Sequence, residues 1–181
     1  VTITAYFSEP MTATPTISIT GVVTNVVMSS GSASFTTASI ATSANRPEEA
    51  FAADIDGAGD MDFVSASFEN NTIAWYENNG ASDPSWTAAN IATDKAGAKS
   101  VFAADIDGDG DMDIVSASFN DHTIAWYENN GAANPSFTAA NISTSAQYAQ
   151  SVFAADMDGD GDMDIVSNDN DIGDESVVWY E

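Results

Sequence analysis

Five carboxylates fall within nine residues in the run Asp105-Ile106-Asp107-Gly108-Asp109-Gly110-Asp111-Met112-Asp113. Charges of one sign at this spacing repel unless a cation sits among them. A hard divalent ion such as Ca2+ takes six to eight oxygens from carboxylates, carbonyls and water. The spacing predicts side-chain oxygens from positions 1, 3 and 5 (Asp105, Asp107, Asp109), the backbone carbonyl of position 7 (Asp111), and closure of the shell by position 9 (Asp113). Glycines at positions 4 and 6 permit the positive φ that so tight a curl needs. Mg2+ fits less well, because it keeps its waters. An EF-hand does not fit: its twelfth position is Ser116 rather than Glu, and no helical pattern flanks the loop.

The same loop occurs three times. Asp156, Asp158, Asp160, Asp162 and Asp164 form a complete copy. Asp54, Asp56, Asp60 and Asp62 form a degenerate one, in which Ala58 replaces the carboxylate of position 5. Up to three Ca2+ ions are therefore expected, with the weakest binding in the first loop. Together the loops hold 14 of the 28 acidic residues, so half of the negative charge is site chemistry.

The elements that must position these loops repeat with them. VFAADIDGDGDMDIVS at 101–116 recurs as VFAADMDGDGDMDIVS at 152–167, and FAADIDGAGDMDFVS at 51–65 keeps the same 51-residue shift. Phe35, Trp86 and Phe137 open equivalent runs, while Trp179-Tyr180-Glu181 lies 53 residues after Trp126-Tyr127-Glu128, so two residues are inserted within 168–176. Three units follow: 32–82, 83–133 and 134–181. Each reads as four short strands, FTAANIST-like, VFAAD-like, DIVSAS-like and TIAWYE-like, rich in β-branched and aromatic residues. No window carries helical period. The expected fold is all-β: three four-stranded antiparallel propeller-type blades, preceded by an N-terminal β extension at 1–31. A 51-residue period is too short for a seven-strand sandwich.

Composition narrows function. In 181 residues there are 3 Lys+Arg against 28 Asp+Glu, a net charge of −25. That excludes nucleic acid and anionic lipid as default partners. No Cys is present, and His122 is the single histidine, which removes disulfides, thiolate sites and His-based triads. No apolar run approaches the length of a membrane span, so no membrane insertion is expected. The sequence starts at Val1 rather than Met, which reads as a processed chain or a piece of something longer.

The DxDGDGxxD loop between a VFAAD-type and a DIVS-type strand resembles the calcium-binding repeat of FG-GAP/VCBS propellers, shared with integrin α-subunits. The resemblance covers about 150 residues, 32–181. It implies blades around an axis, with Ca2+ held by Asp105, Asp107, Asp109, the Asp111 carbonyl and Asp113, and by their counterparts in the other two loops. Such propellers close with about seven blades, whereas three cannot close a ring. The chain is thus expected to be a fragment, to be completed by other chains, or to form an open arc. FSEPM…TPTISI, within 1–31, is similar to part of bacterial immunoglobulin-like adhesin domains. These strands either pack on their own chain or are donated to a neighbour.

Strand alternation sends the Asp/Gly loops and the turns at Asn78–Asp83 and Asn129–Asn134 to one end of the blades. Arg46, Lys95, Lys99, His122 and Tyr148 go to the other, where related propellers often bind ligands. Asn70-Asn71-Thr72 and Asn141-Ile142-Ser143 fit the N-glycosylation acceptor pattern. The expected function is non-catalytic: a calcium-stabilised extracellular or cell-surface module, bacterial by resemblance, for adhesion, ligand binding or assembly with other protein chains, including copies of itself. The alternatives are a filament subunit linked through 1–31 and a fragment of a propeller-containing enzyme. No acid–base pair outside the loops supports the enzyme.

Overall fold

Runs of β-branched and aromatic residues, punctuated by Asn/Gly and Asp/Gly clusters, give this chain strands and tight turns. The computed structural model describes residues 16–17, 26–27, 39–42, 44–171 and 174–181, and every regular element among them is a strand. Residues 1–38 and 39–181 form two separate units. In the first, β1 (Thr16–Ile17) pairs antiparallel with β2 (Val26–Val27). The rest of the N-terminal segment expected over 1–31 lies outside the described residues, as do residues 35–38 of the strand expected from Phe35, whereas its remainder, 39–42, is not strand.

The second unit holds three antiparallel sheets whose strands neighbour one another in chain order. The first sheet comprises β3 (Pro47–Ala53), β4 (Asp62–Ser67), β5 (Thr72–Asn78) and β6 (Trp86–Ala92). The second comprises β7 (Ala98–Ala104), β8 (Asp113–Ser118), β9 (Thr123–Asn129) and β10 (Phe137–Ser143). The third comprises β11 (Ser151–Ala155), β12 (Asp164–Asp171) and β13 (Asp174–Tyr180). This is the all-β, propeller-like arrangement that the repeat predicts, in sheets of four, four and three strands rather than three of four.

The phase also differs from the sequence units. The Trp86 and Phe137 runs, read as first strands of units 83–133 and 134–181, are the outer strands β6 and β10 of the preceding sheets. The Asn-Asn-Gly turn explains this. It is a short reversal that returns the chain beside β5 or β9, so hairpin closure wins over the boundary chosen by similarity. The two-residue insertion falls in the β12–β13 hairpin, whose ladder runs from Ile165↔Tyr180 out to Asp171↔Asp174.

Each sheet is apolar on both faces and is covered by its neighbour. All six residues of β8 are buried, hence its continuous DIVSAS run without alternation. One face of the first sheet (Val64, Ile73, Trp75) packs on Val101, Ile114 and Tyr127 of the second. The opposite face of the second sheet (Val115, Ile124, Trp126) packs on Val152, Ile165 and Tyr180 of the third. We call these the leading and trailing faces. Phe51, Phe102 and Phe153 stack from sheet to sheet with ring centroids 4.6 Å apart at each step. Polar ties repeat with the same shift: Glu49 accepts from the Ser100 hydroxyl and from the Val101 amide, and Ser100 Oγ accepts from the Val152 amide at 3.0 Å. Neither apolar cluster joins the third sheet back to the first among the described residues.

Ile114 is fully buried at the junction of the first two sheets. Ile114→Ala is expected to cost about 2–5 kcal/mol, seen as a lower denaturant midpoint at unchanged slope in calcium-containing buffer.

Candidate metal centre

Each Asp/Gly loop joins the first strand of a sheet to the second, at β3–β4, β7–β8 and β11–β12. The glycines at positions 4 and 6 adopt positive φ in all three loops, between 71° and 102°. That curl turns the carboxylates inward and lets them fold onto the loop's own amides. The position-1 acid accepts from the amide of position 6: Gly59 N to Asp54 Oδ2 at 3.0 Å, Gly110 N to Asp105 Oδ2 at 3.0 Å, and Gly161 N to Asp156 Oδ2 at 3.2 Å. The position-3 acid accepts two residues on, from Ala58, Asp109 or Asp160.

The loops thereby gather oxygens. One carboxylate oxygen from each of Asp54, Asp56 and Asp62 lies within 4.8 Å of the others. Asp105, Asp107 and Asp109 do the same in the second loop, and Asp156, Asp158 and Asp164 in the third. These groups could hold a metal ion, and the orphaned atoms within them fit one: Asp54 Oδ1 and Asp105 Oδ1 are buried without a hydrogen-bond partner. A buried carboxylate oxygen left bare is costly, and a hard cation satisfies it.

The remaining predicted residues divide. Asp113, Asp160, Asp111, Asp162 and Asp60 lie outside the three groups. Asp160 and Asp109 each accept the amide two residues on. The side chains of Asp60 and Asp111 lie against Gly80 and Gly131 in the neighbouring Asn-Asn-Gly turns, where any Cβ would collide with them. The buried acid at position 9 closes the loop on its own sheet. Asp62 Oδ2 accepts from Ile55 N and Trp75 Nε1, and its Oδ1 accepts from Asn78 N at 2.7 Å. Asp113 holds Ile106 N and Asn129 N in the same way, and Asp164 holds Met157 N.

Two asparagines at the start of the turns belong to the site and were missed from sequence. Asn78 Nδ2 donates to the Met61 carbonyl. Asn129 Nδ2 donates to the Met112 carbonyl and also to Ile55 in the loop of the preceding sheet, at 2.9 Å. The signal was their 51-residue spacing, identical to that of the acids.

A family model described as FG-GAP-like repeat matches residues 54–116 and 107–167, each match running from one acidic loop through the next. The chain belongs to the FG-GAP-like repeat family. Its two matches span more than half of the sequence and contain all three loops. No curated protein matches the chain at a significant level.

The opposite end of the FG-GAP-like repeats gathers the basic residues. Arg46 pairs with Glu48 at 2.7 Å and lies 4.2 Å over the Phe68 ring. Lys95 lies 3.7 Å from Asp94, and Lys99 lies 5.3 Å over Phe119. His122 Nδ1 accepts from the Tyr148 amide at 3.0 Å, as Asn71 Oδ1 does from Gly97. His122 thus serves as a loop clamp, half-buried rather than freely exposed.

Burial, followed by the charges of Asp62, Asp56 and Asp54, raises the Asp60 carboxyl above its ordinary value. Burial raises Asp113 too, against amide bonds from Asn129 and Ile106. At these two carboxyls the metal-free fold binds more protons than the unfolded chain. In chelator, stability should therefore rise as pH falls from neutral toward the carboxylate range. With metal bound the sign reverses, because protons compete for its ligands. Melting curves at several pH values, with and without chelator, check both slopes. Ala58→Asp should tighten the first loop by roughly tenfold, read by titration calorimetry as a weak site joining the stronger ones.

Proposed function

We propose that this chain is a calcium-stapled, non-catalytic β-repeat module that works outside the cell, on or released from a bacterial surface, in adhesion, ligand binding or assembly. The observation that carries this reading is the pair of bare, buried oxygens on Asp54 and Asp105, set among carboxylates on hydrogen-bonded loops. A dense set of hard oxygen donors suits Ca2+ better than Mg2+, which demands a strict octahedron and keeps its water. Bound calcium would tie the inner acids of each loop together and remove their mutual repulsion.

The extracellular setting follows from affinity. Exposed loops of this type belong with extracellular modules, which bind calcium at about 10−4 to 10−3 M and fill only where calcium is plentiful. FG-GAP-like repeats are typically extracellular, and no helix among the described residues is long and apolar enough to cross a membrane. The non-catalytic reading rests on where the perturbed groups lie. Asp60 and Asp113 belong to the acidic loops, Asp121, raised by burial against the charge of Lys95, lies between β8 and β9, and the Tyr127 phenol, raised by burial, meets Ser116 at 3.3 Å inside the stack of sheets. None forms an ion pair with a basic side chain among the described residues.

Thermal unfolding with 1 mM Ca2+ and with chelator tests the proposal. A site with a dissociation constant of about 10−4 M adds roughly 1.4 kcal/mol at that concentration. Three such sites should raise the melting temperature by on the order of 10 °C. Equal melting temperatures in the two buffers would remove both the metal and the compartment argument. Asp105→Ala combined with Asp156→Ala should abolish most of the calcium-dependent shift and leave the chelated melting temperature nearly unchanged.

A further inference from the structure

Each passage from one sheet to the next is clamped at the end away from the acidic loops. Asn71, in the turn from β4 to β5, accepts the Gly97 amide through Oδ1 at 3.0 Å. His122, in the turn from β8 to β9, accepts the Tyr148 amide through Nδ1 at 3.0 Å. The second pair stands one 51-residue repeat after the first. Asn71 and His122 share a left-handed backbone, with φ of 56° and 58°. The clamps are equivalent in position but not in chemistry.

An amide oxygen accepts at every pH. An imidazole nitrogen accepts only while neutral, because the imidazolium carries a proton on both nitrogens and donates from each. Histidine side chains change charge within the physiological range. On protonation Nδ1 becomes a donor aimed at the Tyr148 amide, itself a donor, and the bond is lost. The clamped residues differ as well. Gly97 takes its φ of 67° without strain, whereas Tyr148 takes 51° at a cost. Strain of this kind persists only where the surroundings fix it. At Tyr148 the fixing contacts are the bond to His122, the edge contact between the two rings at 4.9 Å, and the Phe119 ring at 5.0 Å. Two of these three come from His122 itself.

The charged and titratable groups of this region come from every element around the clamp. Asp121 precedes His122 in its turn, and Lys95 and Asp94 of the β6–β7 loop act on Asp121 with opposite signs. Lys99 lies over the Phe119 ring, and Tyr148 itself faces the imidazole. On the third sheet Asp169 neighbours Asn170, whose amide reaches the Gln147 carbonyl. Among the described residues the only hydrogen bond of the imidazole is the one to the Tyr148 amide. We propose that His122 is a proton-operated latch. Neutral, it holds the β10–β11 loop on the β8–β9 turn; protonated, it releases that loop and loosens the passage between the second and third sheets, while the Asn71 clamp stays shut. The contribution is present above the histidine range and is lost as pH falls through it. The latch lies outside the acidic loops and does not depend on their binding calcium.

Amide hydrogen exchange of the whole chain in millimolar calcium, at about pH 7.5 and about pH 5.5, tests this. With the intrinsic effect of pH on exchange divided out, protection of the Tyr148 amide should fall roughly tenfold at the lower pH. The Gly97 amide is the internal control and should keep its protection. His122→Asn writes the first clamp into the second and should make Tyr148 as indifferent to pH as Gly97. Asn71→His should transfer the dependence to Gly97. Equal protection of Tyr148 at the two pH values overturns the proposal. So does an equal fall at Gly97 in the wild type, which would mean general loosening, or a His122→Asn chain that keeps the wild-type dependence. The comparison of Tyr148 with Gly97 needs no variant, so it decides the matter whether or not the variants fold.

Discussion

Asp62, Asp113 and Asp164 each place a buried carboxylate where two segments of backbone must meet. One oxygen takes an amide at the entry of the acidic loop; in the first two repeats the other takes an amide at the start of the Asn-Asn-Gly turn. Burying a charge costs several kcal/mol unless it is fully bonded. These charge-assisted bonds are the compensation, and they fix the loop's curvature before any ion arrives. The acids at positions 1 and 3 then have little freedom left. Amides hold one oxygen of Asp54 and of Asp105 and leave the other buried and bare, while in the third loop amides hold both oxygens of Asp156, so a cation would meet a partly formed shell rather than assemble one. That arrangement lowers the ordering cost of binding.

The second constraint is that a four-stranded sheet with two apolar faces cannot stand alone. The first and second sheets each find a neighbour in the next 51 residues. Ser100 illustrates how tightly the junctions are specified: one hydroxyl donates to the sheet before it and accepts from the sheet after it. Asn129 does the same work at the acidic end, bonding the carbonyls of two successive loops. The loops and the sheet junctions are therefore one bonded system, and the state of a loop is felt at the interface beside it.

Much of this was legible in the residues. The period, the all-β class, the acidic loops and their glycine positions are local patterns, and local patterns survive folding. The phase of the sheets was not legible, because the Trp86 and Phe137 runs look alike whether they begin one sheet or end another; hairpin geometry decides it. The role of position 9 was also hidden. Asp62 looks like one more acid in a row, yet its burial and its bond to the Trp75 indole arise from strands brought together only in the fold. A shared repeat position would put Trp75, Trp126 and Trp179 alike in the core. Trp75 is buried and Trp126 partly so, while Trp179 is half exposed, since periodicity reports a position in a sheet and not whether another sheet covers it.

The Phe51–Phe102–Phe153 stack shows that the two junctions are alike, with the same centroid separation at each step. Interchangeable junctions make the chain's length quantised. A gain or loss of one whole period leaves every remaining interface with its proper partner. A change of a few residues in a strand would instead exchange the two faces of a sheet. The tolerated exception sits where this rule permits it, as an even number of residues in the β12–β13 hairpin. Proteins built this way vary in discrete steps of a blade, and their lineage should be readable in multiples of 51.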